Sequence, residues 1–113
     1  LPYAKMTRDA AAAIVVCGDH GNDTTGLMNR YWVQDCSAVT ENILLAAESL
    51  GLGAVWTATY PYEERMEPVR RILNLPANLV PLNVIPLGHP DGEHKPKDKW
   101  DENKFRFNQF PQH

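Results

Sequence analysis

The chain has 113 residues, 43% hydrophobic, 22% charged and 9% aromatic, with a formal net charge of -3, which bounds it to one compact domain or a large part of one. Its longest apolar run falls far short of the roughly 20 residues that span a bilayer, no secretory signal pattern is visible, and 11 basic against 14 acidic residues exert no general pull toward nucleic acid or anionic lipid. Two cysteines are too few for a disulfide scaffold and fit a reducing compartment, so a soluble, cytoplasmic protein is expected.

The chain opens Leu1-Pro2-Tyr3 without an initiator Met and soon enters Ala12-Ala13-Ile14-Val15-Val16-Cys17, a pattern of a buried strand. A core strand so near the start leads us to expect further polypeptide upstream. Residues 18–26 hold three glycines among polar residues that bond their own backbone, and read as a loop. The clearest element is a helix over about residues 30–50, with Asn29 as a plausible cap and Gly51 where a left-handed stop belongs. At about 100° per residue, Trp32, Val33, Cys36, Val39, Ile43, Leu44, Ala46, Ala47 and Leu50 share one arc. The opposite arc is polar but carries Ala38 and Leu45, so something else is expected to cover part of it.

Residues 53–57 suit a short strand ended by Tyr60-Pro61. Residues 67–73 read as a short helix with Pro68 at its first position, stopped by Asn74-Leu75-Pro76. Residues 80–87 are strand-like, with Pro81 and Pro86 confining them to an edge or to strand ends. Residues 88–99 are polar and Lys-rich, an exposed loop. Beyond them Trp100, Phe105, Phe107 and Phe110 are too many aromatics for a loose terminus and are expected to be buried, against this chain or a partner. The order strand, helix, strand, helix, strand gives an α/β sandwich and permits parallel pairing. No linker or repeat divides residues 1–113, which are expected to form a single domain.

Few motifs carry chemistry on their own. Gly51-Leu52-Gly53 precedes a strand and lacks a third glycine, the reverse of a dinucleotide fingerprint. Neither a Walker motif nor a nucleophile elbow is present, and Cys17 and Cys36 are too far apart for a redox Cys-x-x-Cys. A metal site seeded by Cys17 and His20, with His89 and His94, is set aside in favour of a buried thiol and solvent-exposed imidazoles, so no metal is expected. Asp35 and Glu41 fall on different sectors of the helix and read as solvated. Alternate residues of an extended segment point the same way, so Lys95, Lys97 and Lys99 place three ammonium groups on one side. That patch suits a compact dianion such as a phosphomonoester, although exposed lysines ordinarily serve only solubility.

Taken in order, three segments carry a resemblance: Tyr31-Trp32-Val33-Gln34-Asp35-Cys36-Ser37-Ala38, Asn42-Ile43-Leu44-Leu45-Ala46-Ala47 and Leu50-Gly51-Leu52-Gly53-Ala54-Val55-Trp56. With Val69-Arg70-Arg71-Ile72-Leu73-Asn74-Leu75-Pro76, Pro86-Leu87-Gly88-His89-Pro90 and Lys95-Pro96-Lys97-Asp98-Lys99, the set resembles the nitroreductase family of FMN-dependent oxidoreductases. The resemblance runs from about Ala12 to Phe110 and looks like the C-terminal two-thirds of such a domain. The Arg-rich and Pro-Ser-x-x-Asn-like flavin-binding segments of the family's N-terminal part do not occur here.

The resemblance implies an α/β (α+β) three-layer sandwich, a mixed sheet flanked by helices with a long central helix. It also implies a homodimer with FMN at the subunit interface and C-terminal tails reaching across. Trp56, Thr57, Ala58 and Thr59 match the stretch along the flavin ring, where backbone groups do most of the work. Some family members have an acidic residue and glycine where Ala58-Thr59 stands. Lys97 and Lys99 match a Lys-x-Arg phosphate pair, with lysine at 99 keeping the charge but losing the fork. The implied reaction is hydride transfer from NAD(P)H through the flavin to a nitroaromatic, quinone or similar electron-poor acceptor, with no catalytic side chain because the cofactor carries the chemistry. Two other readings stay open. One is a flavin protein of this fold with a different redox reaction, a dehalogenase or dehydrogenase; the other is a non-enzymatic dimerisation domain.

Overall fold

The computed structural model describes residues 5–21 and 26–110. Residues 22–25 of the expected loop, the opening residues 1–4 and the last residues of the tail, 111–113, lie outside the described residues.

The elements are β1 (Ala12–Asp19), α1 (Leu27–Ser49), β2 (Gly53–Ala54), β3 (Thr57–Ala58), α2 (Glu63–Leu73) and β4 (Leu79–Gly88), with short 3-10 turns at Lys5–Arg8 and Glu102–Lys104. All strands meet on β4. β1 runs along one side of it, and β2 and β3 share the other, every pairing antiparallel. The expected α+β class holds, but the mixed sheet is corrected among the described residues: the parallel pairing that the element order permitted is not used. No strand–helix–strand crossover returns in parallel, because each short strand folds back against the same long one.

Of the two expected placements, an edge or strand ends, the edge does not hold: β4 is central, and each proline stands third from one of its ends. Pro81 pairs with Cys17 and Asn83 with Val16, so Leu82 is an extra residue, a bulge where the ladder is already interrupted. On the other side β3 pairs with Val84 and Asn83 while β2 pairs with Leu87 and Gly88. Pro86 thus stands opposite the gap between β2 and β3, where its missing N–H breaks no ladder on that side.

Gly26, at φ 77°, precedes the first turn of α1, and Asn29 lies inside the helix instead of capping it. Gly51, at φ 75°, follows its end as expected. The buried stripe of α1 is narrower than the predicted arc. Trp32, Cys36, Thr40 and Ala47 are buried and Ile43 and Leu44 half-buried, whereas Val33, Val39, Ala46 and Leu50 are exposed. Their spacing of three and four residues follows one face of a helix. Trp32 and Cys36 join Val16, Leu82 and Ile85 in the main apolar cluster. Gly18 belongs to β1, not to the loop, and lies hard against Trp32: a Cβ there would meet the ring's Cε3 at 2.6 Å.

The first predicted strand is buried only toward its far end, at Val16 and Gly18; its first residues are exposed. The second, expected as one run, is split into β2 and β3. α2 begins at Glu63, one turn earlier than expected, so Pro68 is interior rather than at the first position. The helix tolerates it because Met66 and Val69 are anchored in the core while the surrounding Glu63, Glu64 and Glu67 face solvent. Asn74, at φ 51°, ends it. Both helices are tied to β4: Asn83 bonds Thr40 of α1 at 2.8 Å, and Arg70 of α2 donates to the Leu79 carbonyl at 2.7 Å.

Much apolar surface stays uncovered. The radius of gyration is 17.5 Å, against about 13 Å for a compact domain of this size. The aromatic tail is not buried against this chain: Trp100, Phe105, Phe107 and Phe110 are 66%, 50%, 83% and 80% exposed, and the Phe105 ring contacts those of Trp100 and Phe107.

Candidate functional site

The segment from Trp56 to Tyr60 forms a ledge on β4. Period-two alternation turns Thr57 and Thr59 inward, both buried, and leaves Trp56, Ala58 and Tyr60 exposed. The ledge is held by polar bonds to β4. The Thr57 hydroxyl donates to the Val84 carbonyl at 2.6 Å, and the backbone N–H groups of Thr59 and Tyr60 both donate to the Leu82 carbonyl, at 3.0 and 3.1 Å. The bulge at Leu82 thus leaves an acceptor that fixes the end of β3.

Beneath the ledge lies a buried polar chain that sequence reading missed. Asn83, fully buried and paired with Ala58, donates from Nδ2 to Thr40 Oγ1 at 2.8 Å. That hydroxyl in turn donates to the Cys36 carbonyl at 2.7 Å. Asn83 Oδ1 is buried and finds no partner among the described residues. A single Asn within an otherwise apolar strand was the available signal; its partner on α1 was not foreseeable without the register.

Two flanking contacts complete the ledge. At one end the Tyr60 ring meets Trp32 edge-on at 4.7 Å, and Trp32 meets His20 at 5.3 Å. His20 is therefore not a solvent-exposed imidazole: its Nδ1 bonds Asn29 Oδ1 at 2.8 Å and its Nε2 is buried. At the outer side Arg65, from α2, donates to the Ala58 carbonyl at 3.2 Å and lies 4.3 Å over the Tyr62 ring. Nothing in the sequence pattern marked Arg65. Beside β2 a concavity of about 270 Å³ opens between Met6, Ala10, Val55, Pro86, His89 and Pro90.

Lys95, Lys97 and Lys99 lie on the exposed loop after β4, with no ion pair among the described residues. No hydrogen bond joins Lys97 or Lys99 to the ledge. The structure gathers Trp56, Thr57, Ala58 and Thr59 into one feature and leaves the two lysines as a separate one. Both thiols are free. Burial raises the Cys17 thiol above its ordinary range, Arg70 pulling weakly the other way; burial, with Asp35 and Cys17 adding, raises Cys36. Cys17 is half-buried rather than fully inside. Asp35 and Glu41 are exposed, as expected. Among the described residues no group of three or more His, Cys, Asp or Glu side chains could hold a metal ion, and none of their helices is long and apolar enough to cross a membrane.

Comparison with known proteins agrees across sequence and structure. The sequence model of the family described as "Nitroreductase family" matches residues 1–89. A protein of Methanothermobacter thermautotrophicus named "Putative NADH dehydrogenase/NAD(P)H nitroreductase" is 44% identical over 109 residues, which are 96% of this chain and 56% of that protein. A crystal structure of the same name from Bacteroides thetaiotaomicron superposes with a TM-score of 0.86 at 56% identity, over 97% of this chain and 62% of that one. An FMN-dependent nitroreductase from Clostridium difficile superposes with a TM-score of 0.78 at 27% identity, over 91% of this chain and 60% of that one. The chain thus spans between half and two thirds of the length of these relatives.

Proposed function

Because the chain belongs to the nitroreductase family, we propose that it forms one wall of an FMN site in an NAD(P)H-dependent oxidoreductase that reduces electron-poor acceptors, nitroaromatics and quinones among them. The observation that carries this reading is the ledge. Buried hydroxyls and N–H groups lock Thr57 and Thr59 onto β4, so that a short, flat stretch of backbone is presented with only the Ala58 methyl projecting from it. A planar ring system fits against such a surface, and the exposed Trp56 side chain bounds one end. Fixed backbone dipoles need no rearrangement to orient a ring or polarise it. Lys97 and Lys99, exposed and uncompensated, suit the phosphate of the same cofactor.

When bound, FMN supplies the two-electron chemistry; the protein's task is to orient, exclude water and tune. No catalytic side chain is required of this chain. The ledge residues would hold a ring by contact and hydrogen bonding, and the lysine loop would neutralise the charge of the cofactor's phosphate. The apolar side chains left exposed on both sides of the long helix, Val39 at 49% and Leu45 at 60%, with Leu50 at 74% just past its end, and the uncovered aromatic tail support a homodimer in which a second copy covers part of them. Two free thiols fit a reducing, cytoplasmic setting.

The test is FMN titration of the protein by fluorescence quenching, followed by anaerobic addition of NADH or NADPH. The expected result is saturable binding and bleaching of the flavin spectrum, with turnover on adding a nitrofuran or a quinone. Absence of FMN binding would overturn the cofactor assignment; binding with no bleaching by either nucleotide would overturn the reductase reading.

A further inference from the structure

We propose that Arg65 is a positioning residue for the flavin ledge, holding the Ala58–Thr59 peptide in place and setting a fixed positive charge beside the ring; the proposal rests on the FMN reading above. Three observations carry it. The peptide between Ala58 and Thr59 is tied at both polar ends: its N–H donates to the Leu82 carbonyl of β4 at 3.0 Å, and its C=O accepts from the Arg65 guanidinium at 3.2 Å. That carbonyl belongs to Ala58, the exposed residue between two buried threonines, so this peptide is the part of the ledge that faces outward. The cation is itself held, half-buried and stacked 4.3 Å over Tyr62, while its own backbone N–H bonds the Tyr62 carbonyl at 2.9 Å.

An arginine bound this way does two things a neutral residue cannot. Its planar fork fixes the carbonyl's direction, and its charge favours whichever state of a neighbouring group is richer in electrons. A ring on the ledge gains electron density on reduction, so Arg65 favours the reduced cofactor over the oxidised one. Because Arg65 comes from α2 and the ledge from β3, the α2 helix is coupled to the cofactor's affinity and potential through one side chain.

The experiment measures FMN dissociation constants, oxidised and reduced, and the two-electron midpoint potential for wild type, Arg65→Gln and Arg65→Lys, with melting of each apoprotein alongside. Arg65→Gln is expected to weaken reduced FMN roughly tenfold more than oxidised FMN, a lowering of the potential by about 30 mV. Arg65→Lys keeps the charge but not the fork; it is expected to weaken both forms several-fold alike, leaving the ratio of the two constants, and with it the potential, at the wild-type value. An unchanged ratio in Arg65→Gln, whatever its melting temperature, overturns the proposal, because a purely structural role moves stability and not the ratio. If Arg65→Gln does not fold, Arg65→Lys decides alone: unchanged FMN affinity overturns the positioning role. A wild type that binds no FMN removes the functional reading and this proposal together, whereas a wild type that binds FMN with unaffected variants removes only the proposal.

Discussion

Replacing Gly18 with Ala tests how the core reaches the ledge. The added Cβ would lie 2.6 Å from Trp32 Cε3 and 3.2 Å from Trp32 Cδ2 and His20 Nε2. Carbon atoms prefer about 3.5–4.0 Å, so the indole must retreat by roughly 1 Å. It has little room: Trp32 is 5% exposed and is bracketed by the rings of Tyr60 and His20. Overpacking of this kind costs about 1–3 kcal/mol, partly offset by about 0.5–1 kcal/mol from stiffening the unfolded chain. The net expectation is a loss of about 1 kcal/mol, read as a fall in Tm of roughly 4–6 °C. Near-UV circular dichroism should change with it, because Trp32 moves. Tyr60 borders Thr59, so weaker FMN binding should accompany the shift. Gly51→Ala is the contrast: a Cβ there meets nothing within 4 Å, and only its φ of 75° is strained, so about 1 kcal/mol is lost with the aromatic signal intact. Gly18→Ala with wild-type melting and an unchanged Trp signal would refute the packing argument.

Thr40→Val keeps the shape of a buried residue but removes the acceptor of Asn83 Nδ2; urea melts are expected to show a loss of about 1–3 kcal/mol from the stranded amide, and a loss under 0.5 kcal/mol contradicts it. Hydrogen bonds from Gly21 N–H and Asn78 Nδ2 hold the Asp19 carboxyl below its ordinary value of 3.8. A depressed carboxylate stabilises the fold above the unfolded pKa and stops doing so as pH falls through the folded one. Asp19→Asn should therefore flatten the pH dependence of melting below about pH 4 and leave the slope at neutral pH unchanged; an unaltered acid limb contradicts this. Cys17 and Cys36, both raised by burial, should react with a maleimide at neutral pH far more slowly than free cysteine, and Cys36 should become accessible only on unfolding. Rapid labelling of Cys36 in the folded protein would count against its place in the core.

The long helix, its Gly51 stop, the strand character of residues 80–87 and the exposed lysine loop were all legible in the residues, because periodicity and turn chemistry act locally. What was not legible depended on partners distant in the chain. Pro81 and Pro86 argued for an edge, yet β4 became the central strand because the bulge at Leu82 and the gap between β2 and β3 accommodate them. Pro68 looked like a helix start, yet Met66 and Val69 anchor the helix across it. Composition pointed to an aromatic tail buried against this chain or a partner, and the described residues of this chain leave it mostly exposed. Within the candidate site, the contiguous run Trp56 to Thr59 was marked by the family resemblance alone. Asn83, Thr40 and Arg65 were not, since their importance lies in which carbonyl or hydroxyl the register brings opposite them.

A crystal structure of the FMN-loaded protein tests the central claim most directly. The account predicts the isoalloxazine ring lying against the Ala58–Thr59 peptide, with Trp56 at its margin and the phosphate within ion-pair distance of Lys97 and Lys99. A ring bound elsewhere, with residues 56–59 covered by protein and those lysines left in solvent, would contradict it.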